Sequence, residues 1–133
     1  MNDIENQINT LIYTAVSSMY PNAKFESELN LSPSVFPCVC VEMIEAATRK
    51  SSLDSSAVEK YTNVTFEINI FTNDATGKKQ AAKKIFGLID SVMFRMGFER
   101  TTYVPNGLDQ GTKYRLLVRY QGAVDNLNRI YRR

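Results

Sequence analysis

Apolar side chains at Ile4, Ile8, Leu11, Ile12, Ala15, Val16 and Met19 recur at the spacing of one helical face, which predicts an amphipathic helix over residues 3–19. Glu5, Asn6, Gln7, Asn9 and Thr10 occupy the other face, so this helix lies at a surface. Pro21 with Asn22 stops it, and Asn2 or Asp3 is its capping candidate. Residues 23–26 predict a short strand, and residues 30–37, with two prolines and two serines, predict a loop.

The period changes to two after this loop. Over residues 38–46, Val39, Val41 and Met43 alternate with Cys40, Glu42 and Ile44, as in a strand with one buried and one mixed face. Residues 48–60 hold five serines or threonines with Arg49, Lys50, Asp54, Glu59 and Lys60. Leu53 and Val58 are their only large apolar side chains, so residues 47–60 predict a long polar hairpin loop. The next strand alternates Val64, Phe66, Ile68 and Ile70 against Thr65, Glu67, Asn69 and Phe71, and the first set is assigned to the core.

Thr72, Asn73 and Asp74 then offer side-chain oxygens to cap a second helix over residues 77–96, with Ala81, Ala82, Ile85, Leu88, Ile89, Val92, Met93 and Met96 as its apolar stripe. Gly97 is its C-terminal stop. Lys78, Lys79, Lys83 and Lys84 crowd its first turns, where the helix dipole disfavours cations, so a partner or solubility explains them better than helix stability. Strands over residues 98–104 and 113–124 predict a hairpin interrupted at Pro105, Asn106 and Gly107. Residues 126–133 predict a short tail, with Leu127, Ile130 and Tyr131 spaced for one or two helical turns. The expected architecture is α+β: a mixed, mainly antiparallel sheet packed against an N-terminal and a central helix.

Composition narrows the function. At 133 residues, one domain is expected, spanning 1–133. A chain near this length buries roughly 68% of its unfolded surface, enough for stability without disulfides or a structural metal. Sixteen Lys and Arg against 14 Asp and Glu leave a formal charge of +2, which argues against a dedicated nucleic-acid binder but permits a local basic patch. No window approaches the roughly 18 apolar residues of a membrane span, and no Lys- or Arg-led apolar stretch opens the chain, so synthesis in the cytosol is expected.

Catalytic equipment is sparse. Histidine is absent, which removes the commonest neutral-pH base and the commonest nitrogen ligand for zinc. Cys38 and Cys40, two apart on one strand face, read as small buried hydrophobes rather than half a metal site, because the chain holds no further cysteine. Gly77-Lys78 after a strand and turn is the nearest approach to a phosphate loop, yet it lacks the first glycine and the spacing. No cofactor and no catalytic residue is expected.

Most tyrosines and phenylalanines, Phe86, Phe94 and Phe98 among them, are expected in the core or in cross-strand pairs. Phe71 and Leu117 are different: both fall on the face opposite the core, where an apolar side chain asks to be covered by another subunit. Arg115 and Arg119 flank Leu117, and Arg129, Arg132 and Arg133 follow, so a basic stripe and a solvated sheet edge are both open readings.

The order of elements resembles the tail terminator and tail completion (neck) proteins of long-tailed bacteriophages. The resemblance covers most of the chain and is carried by Val64-Thr65-Phe66-Glu67-Ile68-Asn69-Ile70-Phe71-Thr72-Asn73, Gly77-Lys78-Lys79, Met96-Gly97-Phe98-Glu99-Arg100, and the strand from Lys113-Tyr114-Arg115 to Tyr120. These segments are structural, not catalytic. The resemblance implies a virion protein of the tail or neck, made in the host bacterial cytoplasm, that assembles as a homohexameric ring. It further implies that the ring caps the tail tube, meets a head-tail connector or neck protein, and passes DNA without reading its sequence.

On that reading, Arg49, Lys50, Leu53, Asp54, Val58, Glu59 and Lys60 of the polar loop, with Phe71 and Leu117, are the candidate contacts to a neighbouring subunit or the tube. Lys78, Lys79, Arg115, Arg119, Arg129, Arg132 and Arg133 are the candidate basic residues facing DNA or a partner. The alternative is a small nucleic-acid-binding α+β module that uses the C-terminal basic stripe.

Overall fold

A computed structural model describes residues 3–26, 36–50, 60–73, 77–104, 114–124 and 130–131, with residues 3, 47–50, 60, 61, 78, 130 and 131 described by their backbone. The elements run α1 (Asp3–Ser17), β1 (Lys24–Glu26), β2 (Cys38–Lys50), β3 (Lys60–Thr72), α2 (Lys78–Met96), β4 (Glu99–Val104), β5 (Tyr114–Val124) and β6 (Ile130–Tyr131). The strands form one sheet in the order β1-β2-β3-β5-β4, with β6 added to β5. β1 pairs parallel to β2 and every other pair is antiparallel. The fold is therefore the expected α+β arrangement of a mixed sheet and two helices.

Both helices lie on one side of the sheet, because their apolar stripes and the even-numbered residues of β3 and β5 share one core. Ile4, Ile8, Ile12 and Val16 of α1 are fully buried there, with Ala82, Ile85, Ile89 and Met93 of α2. Each such burial stabilises by about 1.5–3 kcal/mol for the larger side chains. From the sheet come Val39 and Val41, Val64, Phe66, Ile68 and Ile70, and Tyr114, Leu116, Val118 and Tyr120. Phe98 seals one end, its ring edge-on to Phe66 with centroids 5.6 Å apart.

The ends of α2 separate two kinds of cap. Gly97 sits at φ 96°, donates its N–H to Phe94, and lets Phe98 donate to Met93, the paired bonds that satisfy terminal carbonyls through a left-handed residue. At the other end Gly77, at φ 81°, is the cap and no side chain accepts a capping bond, so the expected capping by Thr72, Asn73 or Asp74 is corrected; Asp74 lies outside the described residues.

Four further expectations change. The polar hairpin is shorter than residues 47–60, because β2 continues to Lys50 and β3 begins at Lys60, in register with each other. Residues 51–59 lie outside the described residues. The tail contributes a strand, Ile130 and Tyr131 pairing with Val124 and Ala123, rather than helical turns. α1 ends at Ser17, leaving Met19 59% exposed beyond the core stripe. Phe94 is 78% exposed on α2 and not a core residue, since its helical angle points away from the sheet.

Candidate interaction surface

The sheet face away from the helices is a layered surface whose rows follow from strand register. Cys38, Phe71 and Arg115 form one row, and Cys40, Asn69, Leu117 and Val104 the next. Glu42, Glu67, Arg119 and Thr102 form the third, and Glu45, Thr65, Gln121 and Glu99 the fourth. A bulge at Ile44, between Met43 and Glu45, puts Glu45 on this face after Glu42.

The apolar end of this face is a second, smaller core. Cys38, Cys40 and Phe71 are buried together and Phe36 packs against them; Phe36 precedes β2 through a cis bond to Pro37. Phe71 is thus on the predicted face but is 1% exposed, so the expectation that it lies open is corrected. Its own chain covers it, and the Arg115 guanidinium lies over its ring, 5.8 Å from the centroid. Leu117 is half-buried.

The cysteines are free thiols. Cys38 donates a long contact to Glu26 Oε2 at 3.8 Å, and burial, then the neighbouring Cys40, push its pKa up to about 12. Such a thiol is protonated at neutral pH and is a poor nucleophile or metal ligand. Among the described residues no three Cys, Asp or Glu side chains come together as a metal site.

The polar rows are internally wired. Arg119 donates from Nε and Nη2 to Glu67 Oε2 at 3.0 and 2.8 Å. Arg115 Nε donates to Asn69 Oδ1 at 2.8 Å, and Asn69 Nδ2 reaches Glu67 Oε1 at 3.4 Å. Two of the five arginines assigned to the basic stripe are therefore engaged within the sheet. Glu42 stands directly across from Glu67, like charge against like, so the row holds two carboxylates for one guanidinium.

The exposed arc of α2, on the helical side, presents the opposite charge. Lys79, Lys83, Lys84 and Arg95 are exposed along α2, and Gly87, Ser91 and Phe94 lie between them on the same outward arc. Asp90, the helix's carboxylate, is occupied: Tyr120 donates its hydroxyl to Oδ1 at 2.7 Å and Arg100 Nη1 reaches the same atom at 3.1 Å. Arg100 also lies over the rings of Phe86 and Tyr103, which pack 4.8 Å apart.

Of the other candidate residues, Arg49, Lys50 and Lys60 fall at the paired ends of β2 and β3, and Lys78 opens α2. Leu53, Asp54, Val58, Glu59, Arg129, Arg132 and Arg133 lie outside the described residues. Sequence reasoning missed Glu42, Glu45, Glu67 and Asn69 as a set. Their alternation with core residues was the available signal, but pairing them needed the register.

A groove between α1 and β1 is lined by Asn9, Thr10, Tyr13, Phe25, Glu26 and Val41. Its lining combines the Glu26 carboxylate with the Asn9 amide, the Thr10 and Tyr13 hydroxyls, the Phe25 ring and Val41. No described helix is long and apolar enough to cross a membrane.

No protein-family model matches the chain, and no curated protein sequence is significantly similar to it. Among solved structures, the chain is similar in fold to one in the virion of a native gene transfer agent particle, with a TM-score of 0.53 and 12% identity over 89% of this chain and 94% of that one.

Proposed function

We propose that this chain is a structural virion protein of a long-tailed phage or a phage-like particle: a tail terminator or close neck relative that closes the tail tube as a ring and forms the surface that joins the head. The observation that supports this most is the likeness to a virion chain across nearly the full length of both molecules, which a shared small motif would not produce. The element order that resembles tail terminators agrees with it.

On this reading the protein acts by assembly and not by catalysis. Its partners are further copies of itself as a hexamer, the tail tube protein, a connector or neck protein, and DNA that passes without sequence-specific contact. The hairpin of β2 and β3, whose paired strands reach Lys50 and Lys60, extends toward a neighbour or the tube. The nucleic-acid-binding alternative is weaker, because Arg115 and Arg119 already hold Asn69 and Glu67.

Native mass spectrometry over a range of concentrations, with electron microscopy in the presence of tail tubes, tests the proposal. Rings that cap tube ends are expected. Monomers alone, without tube binding, would overturn it.

A further inference from the structure

Among the described residues, the outer sheet face and the exposed arc of α2 carry opposite charge. On the outer sheet face, among the described residues of β2, β3 and β5, Glu42, Glu45 and Glu67 stand against Arg115 and Arg119. Arg119 serves Glu67, and among the described residues no cation pairs with Glu42 on the β2 side of that row. A like-charge cross-strand pair is unfavourable, so the β2 side of this row would gain from a second cation.

The exposed arc of α2 has the converse imbalance. Lys79, Lys83 and Lys84 face outward, while Asp90 is held by Tyr120 and Arg100. Along the centre of this arc run Lys83, Gly87 and Phe94. A Cβ built on Gly87 meets nothing within 4 Å, so the helix backbone is open to close approach there, and Phe94 projects beside it at 78% exposure. Lys83 and Phe94 are about 16 Å apart along the helix axis, comparable to the roughly 14 Å across β2, β3, β5 and β4.

We propose that the exposed face of α2 in one copy docks on the outer sheet face of a second copy, with Lys83 and Lys84 set against Glu42 and Glu45 and Phe94 laid toward Leu117 and Val104. Because the helices and the outer face lie on opposite sides of one sheet, the two patches differ and the contact is head-to-tail, the interface type that closes into a ring or extends as a filament. The inference deepens the ring reading and rests on it. It assigns the α2 lysines to a subunit interface instead of the DNA passage.

Charge reversal in trans tests it. Lys83→Glu/Lys84→Glu and Glu42→Lys/Glu45→Lys change exposed or half-exposed side chains, and circular dichroism melts establish that each variant folds. Each alone should weaken assembly by about tenfold or more in native mass spectrometry, since like charges then meet across the contact. An equimolar mixture of the two should assemble again, because every contact in an alternating ring pairs opposite charges. Wild-type assembly that survives both reversals unchanged overturns this interface and leaves the ring reading standing. A wild-type chain that never assembles overturns the ring reading itself. Loss of DNA retention with assembly intact in Lys83→Glu/Lys84→Glu places the lysines toward DNA and overturns the interface.

Discussion

The Tyr120 hydroxyl donates to Asp90 Oδ1 at 2.7 Å and so ties the centre of β5 to the outer flank of α2. Tyr120 is 1% exposed, and its phenol has its pKa raised, first by burial and then by the Asp90 carboxylate. The neutral phenol is the form the fold accepts. In the unfolded chain a tyrosine ionises near pH 10, so the unfolded state loses its proton first as the solution becomes alkaline. The contribution is complete below about pH 10 and is lost as pH rises above it. Tyr120→Phe should lower stability at pH 7 by about 1–2 kcal/mol through the lost bond to a charged acceptor, and its stability should fall less steeply than the wild type's above pH 10. Urea titrations at several pH values between 7 and 11.5 measure both. Tyr114, whose pKa is also raised by burial, leaves a residual alkaline slope.

Gly122 marks where β5 and Phe98 approach too closely for any side chain. A Cβ at this position meets Phe98 Cδ1 at 2.6 Å and Cε1 at 2.8 Å, and the ring is itself locked edge-on against Phe66. Gly122→Ala should destabilise by about 1–3 kcal/mol through overpacking. In a Phe98→Ala background the clash has no partner, so the alanine's added cost should vanish. Thermal melts of the four proteins in this cycle expose the coupling as non-additivity.

How much of this was legible in the sequence depends on what burial writes into it. The helical stripe from Ile4 to Val16 and the alternation from Val64 to Ile70 announce themselves because one face of each is dry. Residues 47–50 and 60 gave no such signal: they are strand by pairing across the hairpin, and a polar stretch paired in that way leaves no hydrophobic period to read. Strand alternation puts Phe71 on the correct face, but its cover by Phe36, Cys38 and Cys40 depends on the register that sets Cys38 opposite it. The charge rows were hidden for the same reason. Glu42 meets Glu67 only because the bulge falls after Met43, and nothing local in the chain announces that bulge.

Cys38 should be chemically silent while the protein is folded. Its thiol is buried and its pKa stands at about 12, whereas an unfolded cysteine titrates near 8.5. At pH 8 the native thiol is therefore protonated and inaccessible, and the unfolded one is partly thiolate. A chromogenic disulfide reagent at pH 8 should leave Cys38 and Cys40 unmodified in buffer and modify both in concentrated urea. Stoichiometric modification in buffer, with the fold retained by circular dichroism, would contradict the burial of this pair. The same shift adds stability that is intact below about pH 8.5 and declines as pH rises above it.

The row of Glu42, Glu67 and Arg119 yields a test within the isolated subunit. Glu67 has 12% of its side chain exposed and accepts two bonds from Arg119, which is 43% exposed and partly screened by solvent. Arg119→Ala removes the cation and leaves Glu67 facing Glu42 across the strands. The expected cost is on the order of 1 kcal/mol, kept modest by the exposure of Arg119. Glu42→Gln relieves the repulsion, so it should stabilise the wild type slightly and the Arg119→Ala protein more. Urea unfolding at low and at high salt, at a concentration where the chain is monomeric, should show this rescue shrinking as salt rises, because screening weakens the Glu42–Glu67 repulsion at the partly exposed edge. Equal effects of Glu42→Gln in both backgrounds would mean that Arg119 does not shield the pair.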